Sequence, residues 1–428
     1  MLGSPSINPT RTNPRPSARG GLFESETDHP HFRLTMSLFF SNAMKDVVEI
    51  RRYLHQHPEL GLSEFHTSDY VAGKLKPWAM RSPEAWPAPA SSPPCAMGPV
   101  SVPLGYGRIS MLCQSLKRPA SIMPASLPAG CMPAATTVTR GHDGHTAMLL
   151  GAAGILAERR NFDGIVHLIF QPAEENFGGA RLMIEDGLFE RFQCDAVFGL
   201  HNDPGIAFGH FAFREGPIMA SVDECKITVI GRGGHGAEPQ STSDPIVAGA
   251  SIIMALQTIA SRNIHPLDPV VVTVGAFHAG AASNVYRSGA DMVLTIRSFD
   301  DHVRDELESR VRAIAEGQAA SYGMTVEIDY ERGYPATVNH KAETDYVRDV
   351  ARRFAGEGKV FDMPRPTMGG EDFAYMLQEK PGTYFFLGTK RTENDPPLHH
   401  PRYDFNDDII PTGTAFWVEL VESRLKLE

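Results

Sequence analysis

The chain is poor in several features that would fix its class at once. Its five cysteines (Cys95, Cys113, Cys131, Cys194 and Cys225) follow no framework spacing. The sequence therefore predicts no disulfide scaffold and fits a reducing cytoplasm. No basic stretch offsets the net charge of −11, which argues against a nucleic-acid partner. No apolar run reads as long enough to cross a bilayer, so no membrane partner is expected. Residues 1–35 are rich in Pro, Ser, Arg and Asn without an apolar core, so they do not read as a signal peptide. Residues 1–43 read as a disordered or over-extended N-terminus, with Met36 or Met44 the better start. What remains is ordinary for a soluble globular chain: 428 residues, 42% hydrophobic and 21% charged. That is enough for two domains and a large core.

A second scarcity is local. Residues 77–139 hold twelve of the 33 prolines but one glutamate, Glu84, and no aspartate. Periodicity is lost there, and Pro87-Ala88-Pro89-Ala90-Ser91-Ser92-Pro93-Pro94 can form neither helix nor central strand. One reading is a Pro-rich linker or insertion, although a long structureless loop inside a compact domain is itself anomalous. The genetic code offers another. If each codon takes the last base of one printed codon and the first two of the next, Trp78-Ala79 must give Gly, and Met80-Arg81 only Glu or Ala. Permitted third bases then let residues 77–98 yield a string containing GTGVVATL, residues 104–121 yield LWADIDALPITEATGI, and residues 126–139 yield QPAGRMHACGHDGH. Three patterned strings in one frame and in order predict that residues 77–139 are translated from a shifted frame, with the normal frame resuming near Arg140.

Six short motifs carry the chemistry: Gly141-His142-Asp143-Gly144-His145, Gln171-Pro172-Ala173-Glu174-Glu175, Gly199-Leu200-His201, Gly233-Gly234-His235-Gly236-Ala237, Gly370-Glu371-Asp372-Phe373 and Leu398-His399-His400-Pro401. His and Glu beside small residues or Pro fit a carboxylate-bridged metal site. Glu174 and Glu175 follow the apolar run Ile165 to Phe170, which reads as a buried strand. Adjacent carboxylates at a strand end point apart and can take different tasks. Taken alone, they could equally be a solvated pair capping the next element. Thr146 to Ala153 reads as a buried helix. His201 ends the apolar run Ala196 to Leu200, where a lone histidine is more often structural. From about Ser221 to Arg332 the pattern changes. Strands are expected at Cys225–Ile230 and Ala290–Ile296, and helices from Asp244 to Ser261 and from His302 to Ala320.

From Val47 to about Leu420, outside the disturbed stretch, these motifs resemble the aminoacylase-type metallo-amidohydrolases, in particular the branch of bacterial hippurate hydrolase and the plant auxin-conjugate hydrolases. The opening Arg51-Arg52-Tyr53-Leu54-His55-Gln56-His57-Pro58-Glu59-Leu60-Gly61 is similar to that branch's first helix and turn, and the shifted-frame strings match it in place. The resemblance implies an α/β, two-domain fold. A zinc-peptidase-like catalytic domain (a mixed central sheet flanked by helices) would comprise residues 44–220 and 333–428. An inserted α/β sandwich, residues 221–332, would act as lid and homodimerisation domain.

The resemblance also implies roles. Glu174 would be the general base for a metal-activated water and then the acid to the leaving amine. His142, Glu175, His201 and His399 would be metal ligands, with His400 the competing register. Asp143 would orient a ligand histidine; His145 would serve behind the ligands or at the helix start; Glu371 and Asp372 would support the ligands or the substrate pocket. His235 would reach a neighbouring active site to stabilise the oxyanion. Asn284 and Arg297 would bind the substrate carboxylate or oxyanion, a task suited to the planar Arg fork. The family's Ile-Pro after Asn-Val is replaced here by Tyr286-Arg287. Arg140 stands where the family has a cysteine ligand, and a guanidinium adds to the repulsion between close cations. Two divalent ions, Mn or Zn, are thus expected, with the binding of one impaired. The expected substrate is an N-acyl amino acid such as hippurate, with N-acetyl-diaminopimelate or others open. The alternative is a frame-damaged, inactive relative, short of two catalytic strands, that retains only the lid fold.

Overall fold

The computed structural model describes residues 44–78, 100–104, 108–114, 141–175 and 178–427. Arg140 and most of the 77–139 segment lie outside them. Seven strands form the larger sheet, in the spatial order Val100–Leu104, Gly164–Gln171, Arg108–Gln114, Ala196–Ala207, Gly382–Lys390, Phe211–Phe213 and Val360–Asp362. The four strands from Gly164–Gln171 to Gly382–Lys390 run parallel, and Val100–Leu104 and Phe211–Phe213 pair antiparallel at their flanks. The parallel strands show why: Gly164–Gln171 and Gly382–Lys390 are apolar and buried almost throughout, as a strand covered on both faces must be. The helices at 44–56, His142–Arg159, Lys341–Ala355 and Ile410–Arg424 cover one face. The short helices Gly179–Glu185, Leu188–Arg191 and Phe373–Glu379 cover the other.

Of the two catalytic strands expected to be lost, the segment that would carry GTGVVATL lies outside the described residues, whereas the segment that would carry LWADIDALPI still forms a strand. Val100–Leu104 and Arg108–Gln114 occupy places in the sheet, and Arg108–Gln114 pairs on both sides. Both lie outside the Pro-Ala-Ser run, and Pro103, which lacks an N–H, falls in the edge strand, where its missing donor is tolerated.

The second sheet is antiparallel, ordered Thr325–Arg332, Asp223–Ile230, Gly289–Arg297 and Val271–Ala279. Its strand Asp223–Ile230 alternates buried and exposed residues, so one face packs and the other does not. Helices Pro245–Leu256 and Asp301–Ser321 close the packed face over a separate core running from Cys225 to Met324. The two-domain α/β architecture expected from the motifs is therefore present. One sequence expectation needs amendment. The helical stretch Pro245–Asn263 is long and apolar enough, by length and composition, to cross a membrane. Its Ala248, Ile252 and Leu256 are buried against the lid sheet, which accounts for much of its apolar character.

The chain crosses into and out of the lid at bonded crossings. Ser221 N donates to Ser298 O at 2.7 Å, and the two serine hydroxyls lie 2.9 Å apart. Val222 N donates to Tyr334 O at 2.9 Å. Arg304 spans the exit, donating to Asp223 Oδ2 and to Gly333 O, each at 3.0 Å.

Candidate metal centre

The centre forms where a helix start, the end of one strand and the middle of another meet. Helix His142–Arg159 begins at Gly141, whose φ of +100° favours glycine and whose added Cβ would sit 2.1 Å from Asn202 Oδ1. His142 and His145 fall one turn apart and share a face, and the first turns are buried. Strand Gly164–Gln171 delivers Pro172, Ala173, Glu174 and Glu175. Ala173 is held at φ +52°, unusual for a residue with a Cβ, and its N–H is bound by Glu64 Oε1 at 2.9 Å. The loop then folds so tightly that a Cβ on Gly179 would lie 1.7 Å from Pro172 O. Strand Ala196–Ala207 supplies His201. Its Nδ1 lies 2.6 Å from Asn202 O; a carbonyl only accepts, so Nδ1 carries a proton.

These elements converge in overlapping groups. The ligand atoms of His142, His145 and His201 lie within 4.8 Å of one another, as do those of His142, Glu174 and Glu175 and those of Glu174, Glu371 and Asp372. His142 Nε2 is 3.8 Å from Glu174 Oε2, and His142 Nδ1 is 4.0 Å from Glu175 Oε1. Burial first, and then His201, push the His145 imidazole well below its ordinary pKa. His145 is therefore neutral, and its buried Nδ1 has no hydrogen-bond partner among the described residues. A neutral imidazole nitrogen left without a proton partner, beside two more histidines and two carboxylates, fits a divalent cation. His145, expected behind the ligands or at the helix start, thus stands within reach of His142 and His201.

The acidic pair at 371–372 braces this arrangement. Glu371 accepts from Tyr384 Oη at 2.7 Å and from Phe373 N at 3.0 Å. Asp372 accepts from Ala180 N at 2.8 Å and from the Gln171 side chain. Burial, and then Glu371, push Asp372 well above the usual carboxylate range. Asp143 is fastened to the 44–56 helix by Arg51 Nε at 3.0 Å and His55 Nδ1 at 2.9 Å.

The remaining expected residues fall elsewhere. His399, expected as the last ligand, is exposed at φ +69° and stands outside the three groups. Its turn is closed by His400 N on Pro397 O and Tyr403 N on His400 O. The residue that this loop sends inward is Tyr403, whose hydroxyl accepts from Asn202 Nδ2 at 2.7 Å. In the competing register, His400 Nδ1 accepts from Arg402 N at 3.1 Å. His235 and Asn284 lie together on an exposed lid hairpin, where Val285 pairs with His235 and Gly236 N donates to Asn284 O. Tyr286-Arg287 does not disturb that pairing. Arg297 reaches the catalytic domain, and a Cβ on Gly370 would sit 3.3 Å from its Nη1. Arg140 lies outside the described residues. Glu64, Asn202, Tyr334 and Tyr384 went unnoticed in the sequence. Asn202 directly follows His201, but a lone Glu in a helix-start segment or a Tyr in an interdomain crossing carries no motif.

A bed of histidines and carboxylates at the carboxyl ends of parallel strands is a metallohydrolase arrangement, and comparison with known proteins agrees. Residues 134–423 match the model of Peptidase family M20/M25/M40. The chain belongs to that family and, with it, to the metal-dependent amidohydrolases. It is 37% identical over 378 residues to hippurate hydrolase of Campylobacter jejuni, covering 88% of this chain and 96% of that one. It is 36% identical to N-acetyl-L-cysteine deacetylase of Bacillus subtilis, over 90% of this chain and 89% of that one. A dinuclear metal-binding peptidase of the M20 family from Bacillus subtilis superposes with a TM-score of 0.71 at 29% identity, covering 90% of this chain and 98% of that one.

Proposed function

We propose that this catalytic machinery hydrolyses the amide bond of N-acyl amino acids with a free carboxylate, hippurate being the representative substrate. The observation that carries the reading is the contiguous cluster of buried His142, His145, His201 and Glu174 with half-buried Glu175. The names of the relatives at 36–37% identity, hippurate hydrolase and N-acetyl-L-cysteine deacetylase, support the substrate class. Divalent cations held by the histidines and Glu175, two of them and either manganese or zinc, would polarise the scissile carbonyl and make water acidic enough to lose a proton near neutral pH. Glu174 takes that proton and returns it to the departing amine. Arg297 binds the substrate carboxylate from the lid side. His235 and Asn284, exposed on the lid, serve the site of a second copy paired through the lid. The buried Cys225 thiol, free among the described residues, supports a cytoplasmic home. The test is hippurate hydrolysis with and without manganese. Glu174→Gln should lower kcat about 10²- to 10⁴-fold with KM little changed; equal activity of the two proteins would reject the assignment.

A second reading concerns the chain as printed. We propose that residues 77–139 are read from a shifted frame and that Arg140 replaces a cysteine ligand. The near-absence of acidic residues in that segment favours this, and the string LWADIDALPI spans the Arg108–Gln114 strand. With Arg140 present, at least one cation binds weakly, and the protein is poorly soluble and at best weakly active. Resequencing the codons for residues 75–142 decides. Compensating single-base errors near both ends restore a cysteine before Gly141 and an active dinuclear enzyme. A confirmed reading leaves a crippled descendant.

A further inference from the structure

The loop that carries Glu174 is gripped at several points, two of them from outside the catalytic motifs. Glu64 holds Ala173 N, and Asp372 holds Ala180 N and the Gln171 side chain. A further clasp is Tyr334, in the crossing by which the chain leaves the lid. Its hydroxyl donates to Glu174 O and accepts from Gly178 N at 3.2 Å. One side chain therefore bridges the residue bearing the base and the far end of the same loop. Around Tyr334 the crossing is fixed to both domains. Its own carbonyl accepts from Val222 N in the entering crossing. The adjacent Gly333 O accepts from Arg304 Nη2 of the lid at 3.0 Å and from Tyr375 Oη of the catalytic domain at 3.2 Å. The Tyr334 and Tyr375 rings meet edge to face, 6.3 Å apart.

We propose that Tyr334 is a positioning residue that sets the Glu174 carboxylate by clasping its loop to the lid's return crossing, so that the attitude of the lid is transmitted to the base. This rests on the reading of Glu174 as the proton acceptor. Ala173, next to Glu174, is held in the left-handed region, and such a conformation persists only where the surroundings over-determine it. Loss of one clasp lets the carboxylate swing from a geometry that proton transfer needs to within a fraction of an ångström.

The test compares the full chain with Tyr334→Phe in two assays. In hydrogen–deuterium exchange, Tyr334→Phe should speed exchange in the peptide covering residues 172–180 while the lid strands keep their rates. In hippurate hydrolysis with manganese, kcat should fall about tenfold with KM within about twofold of the unsubstituted value. Unchanged exchange at 172–180 overturns the proposal. So does a uniform rise in exchange with kcat and KM altered together, because that is general loosening. Should Tyr334→Phe fail to fold, Tyr375→Phe loosens the crossing without touching the Glu174 loop. It should give a smaller fall in kcat alone, about threefold, and no change there overturns the coupling. If the unsubstituted chain does not hydrolyse hippurate, the functional reading fails by itself. The exchange comparison then still decides whether Tyr334 holds the loop.

Discussion

At the scale of single residues, the centre depends on buried charges whose partners come from distant parts of the chain. Asp143 is fully buried beside His142, and Arg51, itself 95% buried along its side chain, reaches it from the 44–56 helix while also facing Asp404 and Asp407. A buried carboxylate deprived of its cation costs more than the pair contributes when intact. Arg51→Met should therefore cost about 3–5 kcal/mol in urea unfolding; a loss below about 1 kcal/mol would mean that His55 compensates alone. Cys225 makes a quieter case. Burial in the lid core pushes its thiol from 9.0 up to about 12. The folded state holds this proton more tightly than the unfolded state. The thiol's contribution to stability is thus complete below pH 9 and is lost as the pH climbs toward about 12. Urea midpoints at pH 8 and 10.5 should fall more steeply for the natural chain than for Cys225→Ala, and iodoacetamide should label Cys225 only after unfolding. Parallel pH dependences would show the thiol to be in contact with solvent.

At the scale of elements, the histidine helix and the carboxylate loop were differently legible. Thr146 to Ala153 announces a buried helix, and the structure extends it back to His142 because Gly141 adopts a left-handed φ and admits Asn202. That extension brings His145 one turn from His142, something spacing alone allows but does not require. The strand before Glu174 was readable from its apolar run. The fold of the loop after it was not, because it depends on Glu64, Tyr334 and Asp372, at most 198 residues away in sequence from Glu174. The loop of His399 shows the same dependence. Its motif fixes a turn, but which side chain enters the core is decided by Tyr403 meeting Asn202. Arg108–Gln114 shows the opposite failure: a segment of disturbed composition still adopts a central strand, since backbone pairing with Gly164–Gln171 and Ala196–Ala207 asks little of side-chain identity. Glycine 179 offers the sharpest element-scale test. In Gly179→Ala the new methyl meets Pro172 O, a backbone atom that cannot rotate away. The substitution should cost about 1–3 kcal/mol and depress hydrolysis more than Gly317→Ala, where an added Cβ meets nothing within 4 Å. Equal effects would show that the loop is free to shift.

At the scale of the whole molecule, the lid has its own core and presents catalytic-looking residues away from the centre. His235 and Asn284 are exposed on the lid hairpin. Nearby, helix Pro245–Leu256 exposes Ile246, Val247 and Met254, the last at 71%, and strand Val271–Ala279 forms an open edge of the lid sheet. An apolar helix face beside the outer edge of such a strand is what a two-fold partner can cover. If two copies pair there, each centre draws Glu174 from one chain and His235 from the other. Complementation follows. His235→Ala and Glu174→Gln should each be nearly inactive alone. Mixed in equal amounts and allowed to exchange, half of the dimers become mixed, and each mixed dimer holds one intact centre of two. About a quarter of the natural activity should then return, with light scattering reporting a dimer throughout. Substituting Met254→Asp in both partners should abolish the recovery along with the dimer. Mixed proteins that stay inactive while dimeric would mean that His235 does not serve the neighbouring centre, whatever the lid surface binds.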